Sequence, residues 1–115
     1  MTRIQLRRVI KEALRKYIKQ GDENISSQML PGGAEKRLVG KYREQDIFDL
    51  IRKNKGKQLG HGWKIGDYCE IPYDKYDIYI VFGVSEKGVS VISEFGAIVY
   101  SGVPWNKIKK TEGDG

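Results

Sequence analysis

The chain has 115 residues and a formal net charge of +6, with 31% charged and 10% aromatic residues. This length supports one hydrophobic core but not two independent ones, and the composition is that of a folded protein rather than a disordered chain. No apolar run approaches the ~20 residues of a membrane span, and charges recur from Arg3 onward, which excludes a hydrophobic signal-peptide core. We expect a cytoplasmic protein with no membrane partner.

The first predicted element is a basic amphipathic helix that begins at Thr2, which has capping-box spacing with Gln5, and ends at Gly21. One face is an apolar stripe that includes Leu6, Val9, Ile10, Ala13, Leu14 and Tyr17. The opposite arc carries Arg7, Arg8, Lys11, Arg15 and Lys19. Such a face can simply be solvated, but Glu12 is the helix's only acid. Unbalanced charge of this kind favours attraction to something negative.

Residues 22–33 are predicted to form a loop, and residues 34–39 a single helical turn. A better helix is predicted from about Tyr42 to Asn54, with acidic residues in its first turn and basic residues in its last. A second basic cluster begins in that last turn: Arg52, Lys53, Lys55 and Lys57. Residues 1–60 hold fifteen Lys and Arg against seven Asp and Glu, whereas residues 61–115 hold six against eight.

The stretch from Trp63 to Lys110 alternates short apolar runs with turns that contain glycine. Strands are predicted at residues 68–71, 78–84, 89–92 and 97–100, where apolar and polar residues alternate or β-branched and aromatic residues cluster. A proline-marked turn and a short fifth strand follow within residues 101–108. Five strands in so short a segment need closure to protect their edges, which predicts a small β-barrel.

Two segments of this stretch resemble the Src-homology-three-type barrel, a superfold that also includes the KOW and Tudor-like modules of translation and chromatin proteins. They are Lys64-Ile65-Gly66-Asp67 before the first strand and Val103-Pro104-Trp105-Asn106-Lys107-Ile108 before the last. Pro104 and Asn106 match the closing proline and asparagine of the signalling domain, whereas its binding tyrosine would fall on Lys107. The resemblance implies the fold and does not imply polyproline binding.

Together these elements predict an α+β protein with N-terminal helices packed on a C-terminal five-stranded SH3-like β-barrel. The expected organisation is a basic helical region at residues 1–60, the barrel at residues 61–110 and a flexible tail at residues 111–115, all in a single compact unit. The oligomeric state does not follow from the sequence.

Candidate chemical groups are few, so we expect neither an enzyme nor a cofactor or metal. One cysteine and one histidine cannot form a zinc site, and Cys69 lies in a predicted strand as a structural thiol. His61 lies in a loop between two glycines, where a solvated role is the simpler interpretation. The acidic run Asp67, Glu70, Asp74 and Asp77 matches no calcium-loop pattern.

Two hypotheses for function follow from charge and aromatic content. In the first, the protein binds RNA or DNA with weak sequence preference, holding phosphates with the two basic sets. Bases would then stack on exposed aromatic residues, for which Trp63, Tyr73 and Tyr76 are candidates. In the second, the protein is an interaction module or inhibitor that docks a partner protein through the aromatic residues of its barrel, while its basic helix occupies an acidic groove of the partner. A third interpretation, membrane-surface binding by the first helix, is weaker because the apolar stripe holds no Trp or Phe.

Overall fold

A computed structural model of the chain describes residues 24–30 and 33–112. The first predicted helix, with Arg7, Arg8, Lys11, Arg15 and Lys19, lies outside the described residues. The described elements, in chain order, are β1 (Asn24–Met29), β2 (Glu35–Val39), α1 (Lys41–Asn54), β3 (Gln58–Gly60), β4 (Trp63–Lys64), β5 (Tyr68–Ile71), β6 (Asp74–Ser85), β7 (Gly88–Ser93), β8 (Ile98–Val103), a 3-10 helix (Trp105–Lys107) and β9 (Lys109–Lys110).

Seven of these strands form one antiparallel sheet in the order β1-β2-β8-β7-β6-β5-β9, and β3 pairs with β4 in a second, two-stranded sheet. Strands β5 to β8 are joined in sequence by hairpins, and β9 returns to pair with β5. The longest strand, β6, pairs with both β5 and β7 and carries a bulge between Val81 and Gly83. The last described strand, β9, therefore lies beside the first strand of the hairpin series.

The predicted fold class is wrong. Within residues 24–30 and 33–112 the protein is mostly β, and the one α-helix described, α1, lies mid-chain rather than in an N-terminal helical region. Residues 24–29, predicted as loop, and residues 35–39, predicted as part of a helical turn, are strands of the main sheet. Cross-strand partners decide this, because β2 forms ladder pairs with β8, such as Arg37 with Val99 and Leu38 with Ile98. Such pairs stabilise β2 as a strand even though its own sequence is too polar to predict a strand.

Both faces of the central strands are buried, which explains their nearly continuous apolar sequence. On one face Tyr79, Val81 and Val91 belong to a core that also includes Trp63, Cys69, Ile71, Val89, Ile98, Tyr100, Val103 and Ile108. On the other face Ile80 and Ile92 pack with Val39, Ile47, Ile51, Ile65 and Val99. The second core is the one that α1 covers.

The predicted helix over residues 42–54 is confirmed as α1. It buries Ile47 and Ile51, which are four residues apart and therefore on one face, against the sheet. Glu44 lies in its first turn and Arg52 and Lys53 in its last, where each charge opposes the helix dipole. The last turn consequently presents basic side chains on the side of the molecule that leads into β3.

Candidate functional site

The second predicted basic cluster lies at the end of α1 and in the turn that follows, with all four side chains exposed. Arg52 is neutralised locally, because it forms an ion pair with Asp49 three residues earlier. Lys53, Lys55 and Lys57 form no ion pair with any residue in the described part of the chain. The positive charge of this cluster is thus carried by three lysines rather than by all four predicted residues.

The β3–β4 hairpin extends this charge along the surface. The Ile65 amide donates to the Lys57 carbonyl at 3.0 Å, and Gln58 pairs with Lys64 across the hairpin. Lys64 is exposed and, like the three lysines before it, has no ion-pair partner among the described residues. We call Lys53, Lys55, Lys57 and Lys64 the basic ridge.

A stacked ring pair lies at the tip of the same hairpin. The rings of His61 and Trp105 have centroids 4.5 Å apart and an interplanar angle of 18°. His61 is exposed and has a positive φ of 55°, between Gly60 and Gly62, which also have positive φ values. This left-handed turn directs the histidine onto Trp105, which is half-buried against the core and begins the 3-10 helix.

Trp63, a predicted stacking residue, is buried with only 6% of its surface exposed. The Lys110 amine lies 5.2 Å from its ring centroid and donates a 2.6 Å hydrogen bond to the Gly62 carbonyl. The same amine lies 3.8 Å from a carboxylate oxygen of Asp67. Lys110 therefore holds the hairpin tip against β9 and occupies the position over the Trp63 ring.

The other two predicted stacking residues differ in exposure. Tyr73 is half-buried and stacks on the buried Tyr100, with centroids 5.7 Å apart. Tyr76 is 65% exposed, on the outer part of β6. Only Tyr76 of the three predicted residues presents most of its ring to solvent.

The acidic run is used largely in internal hydrogen bonds. Asp67 accepts the Lys64 amide at 2.9 Å, and Asp74 accepts the Tyr79 hydroxyl at 2.6 Å and the Tyr76 amide at 3.0 Å. Asp77 is buried and accepts the Ser93 hydroxyl. Within residues 24–30 and 33–112, no group of three or more His, Cys, Asp or Glu side chains could hold a metal ion.

Burial dominates the ionisation of three core groups. It raises the pKa of the Cys69 thiol from 9.0 to about 12, with Asp67 and Glu70 adding to the effect. It raises the pKa of Tyr100 to about 12, and the pKa of Tyr79 well above its ordinary value, with the Asp74 carboxylate as the next cause in both. These groups stay protonated and neutral at physiological pH, so the thiol is not an activated nucleophile.

The ring pair could not be predicted from the sequence. The sequence predicts a loop at His61 and a turn at Trp105, and nothing in their spacing joins residues forty-four positions apart. The two glycines that flank His61 were the one available signal, because they permit the left-handed turn that directs its ring.

Comparison of the chain with models of protein families, with curated proteins and with solved structures gave no match. No helix within the described ranges is long and apolar enough to cross a membrane. The resemblance to the Src-homology-three-type barrel stays a prediction.

Proposed function

We propose that this protein binds single-stranded nucleic acid with weak sequence preference, as a cytoplasmic binding protein rather than an enzyme. The observation that supports it best is the basic ridge, whose exposed lysines lack carboxylate partners among the described residues. They lie at the end of α1, in the turn that follows it and on β4, and β4 belongs to the hairpin whose tip carries His61 of the ring pair. Unpaired lysines beside an exposed ring are the two features that single-strand binding requires.

The basic ridge contacts phosphates in this proposal. Each lysine is a flexible point charge, which suits a backbone of variable path better than the fixed fork of an arginine. Binding releases the counterions condensed on the strand, so affinity falls as salt rises. Each phosphate neutralised on a single strand adds about 0.7 to the slope of log affinity against log salt concentration. The predicted set Arg7, Arg8, Lys11, Arg15 and Lys19 would add phosphate contacts to those of the ridge.

The ring pair provides a surface for a base. His61 stacks on one face of the Trp105 ring and is itself exposed, so in this proposal a base stacks on the histidine. Stacking of this kind contributes about 1–3 kcal/mol for each base and tolerates any base, because every base has a π-face. Weak sequence preference follows from this arrangement, and Tyr76 is a further exposed ring on the same chain.

Fluorescence anisotropy with labelled oligonucleotides of about ten nucleotides, between about 50 and 200 mM salt, tests the proposal. We expect a Lys55→Gln/Lys57→Gln variant to bind more weakly and to reduce the logarithmic salt slope by about 1.4, which is two phosphates. The matched control is Lys41→Gln, an exposed lysine at the opposite end of α1, roughly 20 Å away by the helix rise. Affinity that is independent of salt, or absent at low salt, would refute the proposal.

Purification without nuclease separates this proposal from the alternative of a protein partner. Nucleic acid that accompanies the protein, seen in the absorbance ratio and removed by nuclease, supports the proposal. A single stoichiometric protein that stays bound after nuclease treatment supports the inhibitor or interaction module instead. The Lys55→Gln/Lys57→Gln variant should lose the nucleic acid in this experiment, and Lys41→Gln should retain it.

A further inference from the structure

A second basic site lies beside β9, separate from the basic ridge. A cavity of about 390 Å³ opens between the turn that joins β5 to β6 and the segment that leads into β9. The described residues that line it are Glu70, Ile71, Pro72, Lys75, Lys107 and Lys109. Its volume falls within the range of about 300–1,000 Å³ that is typical of small-ligand pockets.

Three exposed lysines give the cavity its charge. Lys75, Lys107 and Lys109 come from three different elements, β6, the 3-10 helix and β9, and converge on one space. None of them forms an ion pair with a residue of the described chain. Glu70, which is the cross-strand partner of Lys109, is the single carboxylate in the lining. The amines outnumber the carboxylate, so the cavity attracts an anion.

The cavity also has an apolar part to its lining. Ile71 is buried, with 3% of its surface exposed, whereas the ring of Pro72 is exposed. A bare inorganic anion gains nothing from the Pro72 ring, whereas a ligand with both a charged group and a flat apolar part is complementary to both parts of the lining. A nucleotide, which has a phosphate and a base, has both of these features.

We propose that this cavity binds a terminal nucleotide of a strand through its phosphomonoester. The inference rests on the proposed function, and it adds a preference for a phosphorylated end of the strand. A terminal phosphomonoester carries between one and two negative charges near pH 7, because its second pKa is about 6, whereas an internal phosphodiester carries one. Clustered amines therefore favour the terminal group over every internal phosphate.

The test compares two oligonucleotides that differ only at the 5′ end. Each carries its label on the 3′ end, and one has a 5′-phosphate whereas the other has a 5′-hydroxyl. We expect the phosphorylated strand to bind at least about fivefold more tightly, which is the effect of one added charge near one amine in water. The Lys107→Gln/Lys109→Gln variant should remove this preference, while the Lys55→Gln/Lys57→Gln variant should weaken both strands and keep it.

The outcomes separate this inference from the proposed function. Equal binding of the two strands overturns the end preference and leaves single-strand binding intact. A preference that survives in Lys107→Gln/Lys109→Gln also overturns the assignment, because the phosphate is then bound elsewhere. Thermal unfolding of each variant, compared with the wild type, ensures that weaker binding is not loss of the fold.

A second measurement tests the cavity without an oligonucleotide. Uridine 5′-monophosphate is titrated into the protein and followed by nuclear magnetic resonance, with uridine as the matched control. We expect the amide and methyl signals of Ile71 and the amides of Lys107 and Lys109 to shift with the monophosphate and not with uridine. Inorganic phosphate that produces the same shifts would indicate an anion site with no use for the nucleoside. If the monophosphate shifts none of these signals, the inference is wrong even where oligonucleotides bind.

Discussion

The Ser93 hydroxyl donates a 2.6 Å hydrogen bond to the Asp77 carboxylate, sixteen residues earlier in the chain, and both residues are buried. The second carboxylate oxygen of Asp77 accepts the Ile78 amide at 2.8 Å. The Ser93 oxygen also accepts the Phe95 amide at 3.3 Å. One small polar network thereby fixes the end of β7, the turn that follows it and the middle of β6.

Removal of this hydroxyl should destabilise the protein. We expect Ser93→Ala to lower the free energy of unfolding by about 1–3 kcal/mol, because the buried carboxylate loses a donor that water cannot replace. Urea unfolding followed by circular dichroism measures the change. Ser90→Ala is the control, because Ser90 is a half-buried serine of the same strand whose hydroxyl forms no such bond with another described residue; this variant should stay within about 0.5 kcal/mol of the wild type. Equal midpoints for the two variants would contradict this account.

Stability should fall in alkaline solution. Burial raises the pKa of Cys69 from 9.0 to about 12 and also raises the pKa values of Tyr79 and Tyr100. The unfolded chain releases these protons at lower pH than the folded chain does. The contribution of the protonated groups to the free energy of unfolding is therefore complete below about pH 9 and is lost as pH rises toward 12.

Urea midpoints measured between pH 7 and about pH 11 test this expectation, and we expect them to decline above pH 9. The Cys69→Ala variant should begin its decline nearer pH 10, where the tyrosines of an unfolded chain titrate. A midpoint that is constant or rising over this range would show that the buried groups do not control alkaline stability.

Two glycines of the β6–β7 hairpin should respond in opposite ways to alanine. A Cβ at Gly88 would lie far inside van der Waals contact of the Val103 carbonyl oxygen, whereas a Cβ at Gly83 meets no atom within 4 Å. We expect Gly88→Ala to cost about 1–3 kcal/mol or more, as overpacking does, and Gly83→Ala to be neutral or stabilising by up to about 1 kcal/mol. Thermal melting of both variants measures the difference, and a Gly88→Ala protein as stable as Gly83→Ala would disprove the close approach.

Loss of the Trp105 ring should weaken nucleic-acid binding. We expect Trp105→Ala to reduce the free energy of binding a short oligonucleotide by about 1–3 kcal/mol, because His61 loses the ring that positions it, while Trp105→Phe keeps part of the effect. Anisotropy titrations at fixed low salt, well below the melting temperature of each variant, provide the measurement. If all three proteins bind alike, the ring pair has no role in recognition.

The strands that can be predicted from sequence are those that carry their own apolar signal. The segments Tyr68–Ile71 and Gly88–Ser93 lie within two residues of their predicted bounds, as does α1, because their periodicity and flanking turns are local. The hairpin β1–β2 could not be predicted in this way. Its strand β1 has the polar sequence NISSQM and pairs with β2, and β2 in turn pairs with β8, a segment about sixty residues further along the chain.

The candidate site was predictable only in part. Lysine content indicated a basic surface after α1, and the exposure of Lys53, Lys55 and Lys57 agrees with it. The ion pair of Arg52 with Asp49 and the convergence of Lys75 with Lys107 and Lys109 depend on folded geometry that no spacing reveals. The count of six basic against eight acidic residues in positions 61–115 gave no sign of this convergence. Such a count weighs an exposed lysine and a buried carboxylate such as Asp77 equally.

The register that joins Leu38 to Ile98 has a consequence for biosynthesis. A ribosome adds about 5–20 residues per second, so the β1–β2 hairpin emerges several seconds before the strand that completes its ladder. Alone, a two-stranded hairpin is at best marginally stable in water. The polar sequence of Asn24–Met29 lowers the risk of aggregation during this interval, because an unpaired segment with few apolar side chains associates weakly with neighbouring nascent chains.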